Sequence, residues 1–100
     1  MATPNKYYVA FFEISYRSLD EVKSKEPQSL AAHLARSREL HRQGKVLMAG
    51  AFLDRPDEPL NTMGVFTSRE DAEEYVKGDP FVLSGAVTNW YIREWANILG

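Results

Sequence analysis

Hydrophobic residues recur along this chain with two periods, and the switches between them mark the elements. Across residues 7–14 both alternating sets are apolar: Tyr7, Val9 and Phe11 on one, Tyr8, Ala10, Phe12 and Ile14 on the other. A strand with one wet face alternates apolar with polar, so this pattern predicts a strand covered on both sides. Residues 45–53 repeat it, with Val46, Met48 and Phe52 set against Leu47, Ala49 and Leu53. Residues 28–43 carry the helical period instead. At about 100° per residue, Leu30, Leu34, Ser37 and Leu40 share one face with both histidines, His33 and His41. Pro27 suits the first turn of that helix, where its missing N–H costs nothing, and Gly44 supplies the stop.

The remaining segments read from their punctuation. Residues 15–27 are polar, and the capping-box spacing of Ser18 and Glu21 predicts a single helical turn there. Residues 54–61 are dense in turn formers and charge, an exposed hairpin loop leading to a third strand at residues 62–67. Ser68 caps a second helix with Glu70 and Asp71 in its first turn. Ala72, Tyr75 and Val76 form its inner face, and Lys77 and Gly78 close it. Asp79-Pro80 opens a short turn over residues 80–83, and residues 86–95 form the fourth strand. Residues 96–100 are too short to assign.

The order β-α-β-β-α-β with right-handed crossovers predicts a four-stranded antiparallel sheet with both helices on one face. That is a ferredoxin-like α+β fold, expected as one domain over residues 1–100. Two helices cover one face of such a sheet, yet the first, second and fourth strands are apolar on both. A second copy is the economical cover for the other face, so a homodimer through the sheet is expected. Either Tyr7 or Tyr8, Met48 or Leu47, and Trp90 or Tyr91 should face the partner, because a one-residue slip of register swaps the faces.

Composition narrows the function classes. A net charge of −2, with bases and acids interspersed, argues against a nucleic-acid partner. The chain has no cysteine, which removes disulfides, thiolate metal sites and cysteine nucleophiles together and fits a reducing compartment. No apolar run approaches the roughly 20 residues of a membrane span, and no apolar leader precedes the first strand. A soluble cytoplasmic protein with no membrane partner is expected.

Candidate chemistry centres on His33 and Asp79. His33 lies on the helix face turned toward the sheet, and Asp79 follows the helix packed beside it. A carboxylate against one ring nitrogen fixes an imidazole's tautomer and stabilises the charge it gains as a base. The structural reading stands beside this one: a core histidine bonded to a backbone carbonyl, and an Asp before Pro serving as a cap. His41 is two turns from His33, too far for the i, i+4 grip on a metal ion, and no metal site is expected. It can line the pocket floor or pack at the helix end. Arg36 and Arg38 can anchor an anionic substrate or stand solvated. Ser37 lacks a relay partner and is a poor nucleophile. Met48, Phe52, Phe81, Trp90 and Trp95 can wall an aromatic pocket or serve as core or interface. Gly50 and Gly64 interrupt strands, where backbones approach closely or bulge. There is no glycine-rich phosphate loop and no nucleophile elbow, and without cysteine or a cofactor-binding motif no cofactor is expected.

Taken together, His33-Leu34-Ala35-Arg36, His41, Gly44, Leu47, Ala49-Gly50, Asp79-Pro80-Phe81, Gly85 and the strand around Ile92 resemble the YCII-related domain family over nearly the whole chain. The resemblance implies a dimeric α+β barrel and a His-Asp dyad in a cleft, at His33 and Asp79. It also implies proton-transfer chemistry, since one member acts as a dehydrochlorinase on chlorinated hydroxyquinols. Leu30 and Ala51 depart from the Arg and Pro that many relatives carry there. The expected function is therefore a cofactor-free lyase, isomerase or hydrolase acting on a small aromatic or cyclic metabolite. His33 and Asp79 would be catalytic, with Arg36, Ser37, His41, Met48, Gly50 and Phe81 around the substrate. The rival readings are a non-catalytic binding module and a cofactor-free oxygenase on the same fold.

Overall fold

A computed structural model describes residues 5–99 of the chain. The expectation about a leader concerns residues 1–4, which lie outside the described residues. The elements run β1 (Asn5–Ile14), α1 (Leu19–Lys25), α2 (Pro27–Arg42), β2 (Met48–Ala51), β3 (Asn61–Phe66), α3 (Arg69–Gly78), α4 (Pro80–Ser84) and β4 (Val87–Asn97). The four strands form one antiparallel sheet in the order β2-β3-β1-β4. This is the ferredoxin-like arrangement that the alternation of periods predicts. Among the described residues no helix is long and apolar enough to cross a membrane.

Local chemistry accounts for the boundaries. Ser18 Oγ accepts from the Glu21 amide, and Glu21 returns a bond to the Arg17 N–H, so the expected single turn extends to a seven-residue helix. Val22 is buried and anchors that helix. α2 begins with Pro27 at its first position, and Gly44 follows it with a φ of +79°, a conformation open to glycine. Ser68 caps α3 as its spacing requires. The segment after Asp79 is a five-residue helix rather than a turn, because the Asp79 carboxylate collects two of its free N–H groups. β2 is shorter than residues 45–53: single bonds from Leu47 and Phe52 flank the ladder, and the chain then leaves the sheet for the loop.

Register decides which residues face where. Directly opposed residues share a face, so Met48, Val65, Val9 and Arg93 lie on one side of the sheet. Met63, Phe11 and Tyr91 lie on the same side, as do Tyr7 and Trp95. The opposite side, carrying Ala10, Phe12 and Phe66, meets the helices in a core completed by Leu40, Val46, Ala72, Tyr75 and Val76. A second cluster of Ile14, Val22, Leu60, Phe81 and Ala86 closes the end of the sheet near α1 and α4. The molecule measures 50 × 28 × 18 Å. Its least dimension is about the depth of one sheet plus one helical layer, and among the described residues no element covers the far face.

Candidate active site

α2 carries the predicted apolar stripe, but of its residues only Leu40 is buried. Leu30, His33, Leu34 and Ser37 roof a cleft of about 280 Å³ between this helix and the sheet. Small residues keep the floor low: Ala49, Ala51, Thr62 and Gly64 line it. At Gly64 a Cβ would come within 3.1 Å of the Phe66 ring, so close packing explains the glycine there.

At one end of the cleft, His33 Nδ1 lies 2.5 Å from Asp79 Oδ1. A carboxylate oxygen accepts, so Nδ1–H donates, and the neutral ring presents Nε2 as an acceptor. Among the described residues no hydrogen bond engages Nε2. Asp79 is only 3% exposed, and its second oxygen accepts from the Phe81 and Val82 amides at 3.0 and 3.3 Å. Burial of the carboxylate is thus met by three donors, which is what a buried ionised group requires. The imidazole is held by the Phe81 ring at 5.0 Å and the edge of Tyr75 at 6.4 Å.

One helical turn along, Ser37 Oγ lies 2.8 Å from the Tyr75 hydroxyl. His33 and Ser37 are four residues apart on α2, and Tyr75 and Asp79 four apart at the end of α3. The two helices run antiparallel, so the two pairs are successive rungs of one ladder. Burial is the main cause that raises the Tyr75 pKa, and the Asp79 charge adds to it. The Ser37 bond and the Arg36 guanidinium pull the other way. The phenol therefore keeps its proton at neutral pH.

Of the residues expected at the site, His33, Asp79, Ser37, Gly50 and Phe81 line the cleft, and Met48, Arg36 and His41 do not. Gly50, which has only backbone to offer, sits at an outer-face register position with Met63. Met48 lies on that face too and is 64% exposed, because the register turns Ala49 rather than Met48 toward the helices. Arg36 donates to the carbonyls of Tyr75 and Glu74 at 2.9 and 2.8 Å and lies over the Tyr75 ring. It caps the last turn of α3. Its guanidinium lies where a Cβ on Gly78 would be. His41 donates from Nδ1 to the Val46 carbonyl at 2.9 Å and ties the end of α2 to the chain entering β2. Phe52, Trp90 and Trp95 also lie outside the cleft. Tyr75 is the lining residue that periodicity alone assigns to the core. Its i, i+4 spacing to Asp79, matching that of His33 to Ser37, is the signal that identifies it.

Residues 8–96 match the family model of the YCII-related domain. No curated protein sequence matches the chain. Among solved structures it is similar to the 5-chloro-2-hydroxyhydroquinone dehydrochlorinase of Burkholderia phenoliruptrix AC1100 in complex with 2,5-dihydroxybenzoquinone. The TM-score is 0.60 at 18% identity, covering 88% of this chain and 92% of that one. A protein of Shewanella oneidensis aligns with a TM-score of 0.55 at 11% identity, covering 95% and 93%. The de novo designed protein Ferredog-Diesel aligns with a TM-score of 0.53 at 10% identity, covering 93% and 88%. At these identities the likeness establishes the fold, and a designed chain shares it as readily as an enzyme.

Proposed function

The chain belongs to the YCII-related domain family, and from that premise we propose that it is an enzyme. Its His33–Asp79 dyad performs general acid/base chemistry of lyase, isomerase or hydrolase type on a small aromatic or cyclic metabolite. The observation that carries this reading is the 2.5 Å bond from His33 Nδ1 to a buried carboxylate, which leaves Nε2 as an acceptor in an apolar cleft. Nε2 takes a proton from the substrate, Asp79 stabilises the imidazolium that forms, and the same proton is returned to the product or to water. The side chains carry this proton transfer by themselves. The 2,5-dihydroxybenzoquinone held by the dehydrochlorinase is a ligand of suitable size and a starting point for a screen. The test is a screen of hydroxylated aromatic and cyclic metabolites by thermal shift and product analysis, followed by His33→Ala. Turnover that is lost in the variant supports the reading. Ligands that emerge unchanged, or turnover that survives the substitution, overturn it. The cysteine-free sequence keeps the cytoplasm as the proposed location.

The proposed working form is a homodimer joined through the outer sheet face. On that face Met48, Tyr91 and Trp95 are 64%, 48% and 52% exposed, and Tyr7, Phe11 and Met63 lie among them. Strands of ten, four, six and eleven residues, about 4.8 Å apart and rising about 3.3 Å per residue, present roughly 500 Å² in projection. Identical faces meeting there form an interface at the small end of the specific range. Placing a second sheet on this one also completes the missing layer of a molecule only 18 Å deep.

A further inference from the structure

We propose that the Ser37–Tyr75 rung is a hydrogen-bond donor site for a carbonyl or oxyanion oxygen of the molecule bound in the cleft. Two hydroxyls joined by one mutual bond of 2.8 Å hold two protons between them. Whichever group donates within the pair, one O–H remains uncommitted, and both residues line the cleft. With His33 neutral, Nε2 accepts and cannot donate. The two rungs are therefore complementary, one receiving a proton from the ligand and the other donating a hydrogen bond to it. The raised pKa of Tyr75 supports this, because the phenol stays a donor at neutral pH. Proton abstraction beside a carbonyl builds negative charge on that oxygen, and a donor already in place there lowers the barrier. The substrate class that fits carries an acidic proton on the carbon beside a carbonyl, so that one rung receives the proton while the other meets the oxygen.

This inference rests on the cleft being the substrate site, and its test is separate from that of the dyad. Two probes of nearly the same shape serve: acetophenone, which has a carbonyl acceptor, and ethylbenzene, which has none. Titration calorimetry compares the wild type with Tyr75→Phe, Ser37→Ala and the double variant. Tyr75→Phe keeps the ring that packs on Phe66, and Ser37→Ala provides a second route should the first fold poorly. The double variant is expected to lose roughly threefold to tenfold in affinity for acetophenone, the scale of one neutral hydrogen bond, with ethylbenzene unchanged. His33→Ala is expected to preserve the difference between the two probes. Equal losses for both probes, no loss for acetophenone, or no saturable binding of acetophenone to the wild type would overturn the inference. The dyad reading depends instead on whether His33→Ala abolishes turnover.

Discussion

Asp79→Asn separates two tasks that one carboxylate performs. Oδ2 caps α4 through the Phe81 and Val82 amides, and Oδ1 holds His33 Nδ1–H. Asparagine is as good an N-cap as aspartate, so its carbonyl oxygen takes over the two amides. Its NH₂ group then faces His33, and a donor there forces the imidazole into the other tautomer, with Nδ1 accepting and Nε2 carrying the proton. Exchanging a charge-assisted bond for a neutral one costs roughly 1–2 kcal/mol of stability, or about 4–15 °C in Tm for a domain of this size. The chemical cost is larger. A base that presents N–H where a lone pair is needed loses about 10²–10⁴-fold in rate, roughly 3–5 kcal/mol of barrier. Nitrogen-15 NMR of the imidazole reads the tautomer without any substrate. The expected result is Nδ1–H in the wild type and Nε2–H in the variant, with both folded. An unchanged tautomer in Asp79→Asn would refute the reasoning, whatever happened to activity. Asp79→Ala, by contrast, strands two amides and the imidazole together and should cost about 3–5 kcal/mol.

Arg36→Ala removes the cap on the Glu74 and Tyr75 carbonyls and should lower stability by about 1–2 kcal/mol, measured by urea denaturation. Ala49→Leu places a branched side chain on the cleft floor, where it should abolish aromatic-ligand binding in a thermal-shift assay while changing stability by less than about 0.5 kcal/mol. Met63→Glu on the outer face should yield monomers in sedimentation at low micromolar concentration, and a wild type that is itself monomeric there would refute the proposed interface. The Tyr16 hydroxyl donates to Glu26 at 2.5 Å, which holds that carboxyl below its ordinary value of 4.5. A depressed folded-state pKa stabilises above 4.5 and loses that stabilisation as pH falls through it. The Tm curves of the wild type and Tyr16→Phe should therefore be separated at neutral pH and converge on acidification, and parallel curves would contradict the assignment.

What the sequence determined by itself was whatever depends on neighbours a few residues apart. The helical stripe of Leu30, Leu34 and Leu40, the stop at Gly44, the cap at Ser68 and the two-sided apolar first strand are all local patterns, and each is present in the fold. The helix at Pro80–Ser84 was hidden because its stability comes from a carboxylate that a turn would use just as well. Faces were undetermined for a different reason: in a strand apolar on both sides, periodicity does not distinguish Met48 from Ala49, and only pairing with Val65 and Gly64 does. The same holds at the site. The stripe on α2 places His33 and Ser37 on one face, but the antiparallel packing of α2 and α3 is what sets them opposite Asp79 and Tyr75, 46 and 38 residues away. Tertiary structure likewise took Arg36 out of the site, since the carbonyls it caps become available only where α3 ends beside it. Residue spacing encodes faces along one element. Which faces meet is decided by chain crossovers, because those bring together groups whose separation in sequence carries no period.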